Sequence, residues 1–341
     1  MRKPPQFLIL TLLTICWSAA HSAPLFEDDS VLEFELVGPL HSLIESENKE
    51  QETPFILKLN GEEFPVMVRP RGKSRLRVCK FPPLRFRFVP GEPAPEQFAG
   101  IEKIKLVTHC NNDSKGDQNA LEEYAAYRLF SLLTDISYRA RPMRITYTDT
   151  DNMLSEKARL RYAFAIEPMQ LLAQRTGGAA LEVKGLSLSR LNREQAGLVF
   201  VYQYMIGNTD WSFVMAEEDD ACCHNGDLLD IENGIYYVPY DFDLAGIVNA
   251  KYAKPDPTLR LKNVRQRRYR GYCIDQEYVG TALRQVKSQE SEILQTIGVI
   301  PGLSDSDKAT MSDYIGQFFK KAQHEDKLLR LYEKRCLGKK V

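Results

Sequence analysis

The run from Gly197 to Ile206 is apolar on nearly every side. Asn192 and Gln195 form a capping box in front of it, and Gly207 stands where it must stop. A helix without a polar face is stable only inside other structure, so this chain is expected to wrap further elements around it at the centre of a lobe. Straight after the stop come Asn208, Thr209, Asp210 and Trp211, and later a strand-like run closes on Tyr240, Asp241, Phe242 and Asp243. Side chains alternate between the faces of a strand, which places Asp241 and Asp243 together and Phe242 opposite. Two carboxylates that close repel and desolvate each other unless a cation sits between them, commonly a hard divalent ion.

Upstream the period changes from helical to two. Val31–Val37, Phe55–Leu59, Phe64–Val68, Leu84–Phe88 and Lys103–Val107 read as strands, with Asn60 and Gly61 as a hairpin turn between the second and third. This region is expected to form an antiparallel sheet. Asn119 and Glu122 have capping-box spacing and open a helix to about Leu133; Arg144–Thr148 and Arg161–Ile166 are two further strands. A short helix from Pro168 to Gln174 is stopped by Gly177 and Gly178. The remainder is mostly helical, finishing in two amphipathic helices, roughly Tyr278–Ile297 and Ser306–Arg335. The expected division is residues 1–22, 23–167 and 168–341, with the seam between two lobes near Glu167.

The first of these pieces has the layout of a secretory signal peptide: Arg2 and Lys3, an apolar run from Phe7 to Trp17, then small residues up to a cleavage site after Ser22. Export to a periplasm or to the extracellular medium follows, with no span left in a membrane after cleavage. Losing Arg2 and Lys3 makes a formal net charge of -1 more negative, which argues against a general nucleic-acid binder. Cys16 leaves with the signal; Cys79, Cys110, Cys222, Cys223, Cys273 and Cys336 form an even set that reads as disulfides in an exported chain. The pairing expected is Cys79 with Cys110 and one of the vicinal pair with Cys273, the vicinal cysteines reaching different partners. His109 and His224 lack a Cys-x-x-Cys companion, so zinc is discounted.

Five passages together are similar to the CotH-type (spore-coat protein H-like) atypical kinase family: Arg69–Arg75 with Phe81–Phe88, Lys105–His109, Leu121–Leu133, Phe164–Glu167, and Gly207–Asp210 with Val238–Asp243. The resemblance implies an α+β, two-lobed, protein-kinase-like fold: an N-terminal antiparallel β lobe with one helix and a mostly helical C-terminal lobe. It also implies ATP and Mg²⁺ or Mn²⁺ as cofactors. Residue by residue, it suggests Asp210 as catalytic base and Asp241 and Asp243 as holders of the metal. Asn225, which follows an inserted acidic run from Glu217 to Asp220, is the candidate for a second metal position.

Phosphoryl transfer also needs a cation on the phosphates. Lys105 fits this role, on the strand before the helix bearing Glu122, its expected ion-pair partner, with Glu123 as understudy; Lys73, Lys80 and Lys103 compete. Arg71 and Arg75 could fork onto phosphates, and Glu167 marks a hinge holding a nucleobase through backbone groups. Each has an ordinary alternative: a helix-exit turn for Asp210, solvated strand-end acids for Asp241, Asp243 and Glu167, surface charge for the arginines, and the capping role for Glu122. The basic segment Arg260–Arg270 is either a solvated loop or a contact for an acidic partner. The function expected is transfer of a phosphoryl group to a protein or sugar hydroxyl. The alternatives are a nucleotide-binding pseudokinase and an Asp-x-Asp glycosyltransferase.

Overall fold

A computed structural model describes residues 24–154, 158–213, 222–232 and 234–338. The signal-peptide reading and the acidic run from 217 to 220 lie outside the described residues. The chain order is β1 (Leu32–Gly38), α1 (Leu40–Glu45), β2 (Thr53–Leu59), β3 (Glu62–Pro70), α2 (Arg75–Val78), β4 (Leu84–Phe88), β5 (Lys103–Val107), α3 (Ser114–Ser131), β6 (Ala140–Asp149) and β7 (Ala158–Ile166). After these come α4 (Met169–Thr176), β8 (Ala179–Leu181), α5 (Arg193–Ile206), β9 (Gly226–Ile231), β10 (Gly234–Pro239), α6 (Gln276–Ser288), α7 (Glu290–Val299), α8 (Asp305–Ala322) and α9 (Glu325–Arg335).

The first seven strands close into a barrel in the order β1-β2-β3-β4-β5-β7-β6. Six of its seven pairings are antiparallel. The closing pair, β1 with β6, is parallel, in register from Leu32 opposite Met143 to Gly38 opposite Asp149. This mixed, closed barrel corrects the expected antiparallel β lobe and, with it, the two-lobed kinase-like fold class. The physical reason is that alternation marks which face of a strand is buried, whereas a parallel pair needs a long crossover and leaves no hairpin signature in the sequence. The alternating apolar residues, among them Phe34, Leu57, Val68, Phe86, Ile104 and Ile145, form the barrel's own core.

A second core surrounds α5. Every residue from Gln195 to Ile206 is buried, the Asn192 side chain accepts from Gln195 N at 3.0 Å, and Gly207 ends the helix with φ +71°. That element is therefore as its pattern required. α3 packs on β6 and β7 and also on α7 and α8, joining the barrel to the helices. It begins earlier than its pattern suggested, at Ser114, with Asp113 accepting from Gly116 N. Asn119 is inside the helix and buried, and it donates to Glu122 Oε2 rather than capping. β8, β9 and β10 make a separate antiparallel sheet in the order β10-β9-β8.

The closing region holds four helices where two were expected. The breaks fall at Gln289 and at residues 300–304 and 323–324. The basic segment is largely structural: Arg267 stacks on Tyr314, 3.7 Å from its centroid, and donates to Met205 O, while Arg270 donates to Thr209 O. Two arginines thus reach carbonyls at and just beyond the C-terminal end of α5, where positive charge is favoured. Disulfides join Cys79 to Cys110, Cys222 to Cys223 and Cys273 to Cys336. The first was expected; the vicinal cysteines bond each other instead of reaching separate partners, and Cys273 takes Cys336. Among the described residues, no helix is long and apolar enough to cross a membrane.

Gly207 is where this architecture tolerates no side chain. Its φ is positive, and a Cβ there would collide with the Tyr314 hydroxyl. Gly207→Ala is expected to lower stability by about 1–3 kcal/mol or more, measured by urea unfolding. Asn192→Ala, which removes only a cap, should lose about 1 kcal/mol. Equal, sub-kilocalorie losses would contradict this reading of the α5 terminus.

Candidate functional site

A cleft of about 1180 Å³ opens between the barrel and the loops that follow α5, β8 and β10. Its barrel side carries Arg71, Lys73, Arg77, Arg85, Lys103 and Lys105; facing them are Asp210, Asp227, Asp241 and Asp243. The cations arise from two local facts. β4 and β5 are antiparallel neighbours with Arg85 opposite Lys105 and Arg87 opposite Lys103, so their outward faces are basic while the intervening Phe86, Ile104 and Leu106 point into the barrel. The turn after β3 then brings Arg71 and Lys73 over the same wall.

Lys105 lies along this wall, open to the cavity yet enclosed by surrounding protein. That burial, and Arg71 beside it, lower its ammonium pKa. Its Nζ is 5.9 Å from the Tyr240 ring centroid, and among the described residues it makes no ion pair. The expected Lys105–Glu122 pair is not formed. Successive residues on a helix point about 100° apart, and α3 turns Glu122 away from the cleft onto Lys115 Nζ at 2.8 Å. Glu123 is the one that faces the cleft side, where it meets Arg75 Nη2 at 2.8 Å. Glu167 is also held elsewhere: its carboxylate accepts from Arg175 Nε at 2.9 Å and from Arg139 N at 3.1 Å.

Asp210 is built by the stop of α5. Once Gly207 turns the chain, Asn208 Oδ1 accepts from Asp210 N at 2.9 Å, a local side-chain turn. The Asp210 carboxylate is then gripped at both oxygens: His224 Nε2 is 2.9 Å from Oδ1 and Asn225 Nδ2 2.8 Å from Oδ2. A carboxylate only accepts, so the ring nitrogen is the donor. Asn225 adopts φ +52°, and the Tyr237 hydroxyl donates to the carbonyls of both His224 and Asn225 at 2.9 Å. The vicinal disulfide immediately precedes this pair and lines the same cleft. Asn225 is thus a partner of Asp210 in this arrangement.

The Asp241–Asp243 pair is not on a strand. β10 ends at Pro239 and Asp241 has φ +60°, so alternation does not bring the two together. A cation does. Arg75, on the short α2, sends Nη2 to Asp241 Oδ1 and Glu123 Oε1 and Nε to Asp243 Oδ2, the last at 2.9 Å. Tyr252 donates to Asp243 Oδ2 at 2.9 Å, and Asp241 N donates to the Tyr127 hydroxyl. The Arg75, Glu123 and Asp243 side chains are 7%, 2% and 5% exposed, whereas Asp241 is 37% exposed to the cleft. Burial pushes the Glu123 and Asp243 carboxyls up, against Arg75, and the neighbouring acids add to the rise.

Of the residues nominated from sequence, Arg71, Lys105, Asp210, Asn225, Asp241 and Asp243 line one cleft, and Glu122 and Glu167 do not. Arg75 is neither surface charge nor open to the cavity, and no pattern in the sequence distinguishes an arginine buried among acids from an exposed one. His224 went unrecognised as a partner of Asp210, although its adjacency to Asn225 was visible. Among the described residues, no three or more His, Cys, Asp or Glu side chains are grouped to hold a metal ion.

No family model matches the chain, so the CotH-type likeness remains one of motifs, and no curated protein matches it. Among solved structures it is similar to the crystal structure of a Helicobacter pylori proinflammatory kinase, CtkA. The match covers 83% of this chain and 91% of that one, at 11% identity and a TM-score of 0.36. At that distance the likeness carries no argument, and the chemistry rests on the cleft.

Two outcomes test this geometry. Arg75→Met leaves three carboxylates without their cation and should cost about 3–5 kcal/mol in urea unfolding; a loss below about 1 kcal/mol would show that the ion cluster is not formed. The second concerns pH. Burial pushes the Glu122 carboxyl from an ordinary 4.5 up to about 7, against the pull of Lys115 and Asn119. The folded state therefore holds this proton more tightly, and the stability it contributes is full below pH 4.5 and is lost as pH rises through about 7. Glu122→Gln should flatten, though not abolish, the fall in melting temperature over that window, since Asp243 and Glu123 shift the same way. An unchanged slope contradicts it.

Proposed function

We propose that the cleft binds a nucleoside triphosphate such as ATP and transfers its terminal phosphoryl group to a hydroxyl of a protein or glycan acceptor. One observation carries this reading: a row of cations on the barrel wall faces Asp210, whose carboxylate is held at both oxygens by His224 and Asn225. Lys105 and Arg71 take the phosphate oxygens. Asp210, fixed in orientation, accepts the proton of the acceptor hydroxyl. The acceptor oxygen forms the new bond to the terminal phosphorus as the bond to the bridging oxygen breaks, and a nucleoside diphosphate leaves. Ile166, Met169 and Leu228 give the cleft apolar surface on which a base can rest.

Asp241 and Asp243, which line the cleft at its acidic end and offer only oxygen donors, are the residues that would hold a hard divalent cation there. Mg²⁺ or Mn²⁺ held by these two carboxylates would supply charge neutralisation at the phosphates, with Arg75 also bonded to both. Export belongs to the same proposal: the signal-peptide layout and three disulfides support a site outside the cytoplasm.

The position of Arg75 also favours a second reading, in which the cleft binds nucleotide without turnover, since a guanidinium already stands between the two carboxylates. Incubating the purified protein with labelled ATP and magnesium separates them. Phosphoryl transfer that falls about 10²–10⁴-fold in Asp210→Ala, with nucleotide binding kept, supports the enzyme. Binding that Lys105→Ala weakens, with no transfer in the wild type, supports the non-catalytic reading. No binding of ATP at all overturns both.

A further inference from the structure

Asp227 lines the large cleft, and neither the phosphate contacts, the proton acceptor nor the metal pair makes use of it. It is the second residue of β9, directly before Leu228. Its half-buried carboxylate is held on one side only: the buried Tyr138 hydroxyl donates to Oδ2. That hydroxyl also lies 3.2 Å from Met169 Sδ at the start of α4, so the carboxylate is fixed beside the apolar surface of Ile166, Met169 and Leu228. Among the described residues Oδ1 has no hydrogen-bond partner, and it is not among the unpaired atoms sealed from solvent. It is therefore open to the cleft.

On its other side Asp227 looks toward the cationic wall. Tyr138 packs edge-on against Tyr240, with centroids 6.3 Å apart, and Lys105 Nζ lies 5.9 Å from the same Tyr240 ring. The Asp227 charge is near enough to oppose the fall in the Lys105 pKa. Lys105 on β5 and Ile166 on β7 are direct strand partners, so apolar surface, carboxylate and cation meet within one stretch of the cleft. A carboxylate only accepts, so whatever occupies Oδ1 must be a hydrogen-bond donor. A nucleotide carries an apolar base, then a sugar with hydroxyl donors, then phosphates. That order matches the wall.

We propose that Asp227 selects the sugar of the nucleotide: its Oδ1 accepts from a ribose hydroxyl, so the cleft takes ribonucleoside triphosphates in preference to their deoxy counterparts. The inference rests on the nucleotide reading of the cleft and deepens it. A hydrogen bond to an ionised acceptor is stronger than one between neutral groups. A site built to pair with a substrate hydroxyl also rejects the analogue lacking it, because its own polar group is then left unpaired. Tyr138 is a positioning residue here, since by holding Oδ2 it fixes the direction in which Oδ1 is presented.

Calorimetric titration of the whole protein, in magnesium, with ATP, 2′-deoxy-ATP, 3′-deoxy-ATP, inosine triphosphate and inorganic tripolyphosphate provides the test. At least one deoxy analogue is expected to bind about tenfold or more weakly than ATP, with inosine triphosphate binding like ATP. Asp227→Ala should lose the preference, binding ATP and the deoxy analogues alike while still taking tripolyphosphate. Tyr138→Phe should narrow the preference. Equal binding of ATP and both deoxy analogues by the wild type overturns this inference alone. So does a preference that survives in Asp227→Ala, or a wild type that rejects inosine triphosphate and not the deoxy analogues, which would put the carboxylate on the amine of the base. If neither ATP nor tripolyphosphate binds, the nucleotide reading falls and this inference falls with it.

Discussion

The Arg75 guanidinium, buried among Glu123, Asp241 and Asp243, is the interaction on which the candidate site depends. It joins three stretches of chain far apart in sequence: α2 from the barrel, α3 between barrel and helices, and the loop after β10. Without a cation there, the acids would repel one another and carry a desolvation penalty of several kcal/mol each. With it, the loop bearing Asp241 and Asp243 is drawn against the barrel, and the wall carrying Lys105 stands opposite the Asp210 loop. One guanidinium against three carboxylates leaves negative charge in excess, held near the cationic wall. On the proposed reading, the ligand of a cleft divided in this way combines phosphates with a metal ion.

Asp210 reaches the site by a different route. It depends on backbone geometry: the left-handed stop at Gly207, the turn closed by Asn208, and the paired His224 and Asn225, whose carbonyls are held by Tyr237. The two halves of the site therefore have different physical origins, one ionic and one conformational. The vicinal disulfide beside His224 adds covalent restraint to the second half.

What the sequence made legible follows the range of the forces involved. α5 with both caps, the Asn60–Gly61 hairpin and the barrel strands were visible because period and turn chemistry are local properties. Barrel closure was not, because β1 and β6 meet through a parallel pairing that no adjacent turn announces. Asp241 was assigned to a strand because the hydrophobic alternation ran up to it, but Pro239 ends the ladder and the next residues turn. Glu122 drew attention through its capping-box spacing, while Glu123 holds the ion pair, because the rotational setting of α3 is decided by packing on β6 and β7. The clustering of Arg71, Lys105, Asp210, Asn225, Asp241 and Asp243 was foreseeable only from the order of motifs. The buried state of Arg75 was not foreseeable, since an arginine's burial is a property of its partners.

In the proposed function the cleft seats a triphosphate between the cationic wall and Asp210, with the acidic cluster at its end. A crystal structure of the protein grown with a non-hydrolysable ATP analogue and magnesium tests it most directly. Phosphate density is expected within hydrogen-bond reach of Lys105 and Arg71, the terminal phosphate nearest Asp210, and metal density beside Asp241 and Asp243. Analogue bound elsewhere, or a structure in which Arg75 is exposed to solvent and the three carboxylates lie apart, would contradict it.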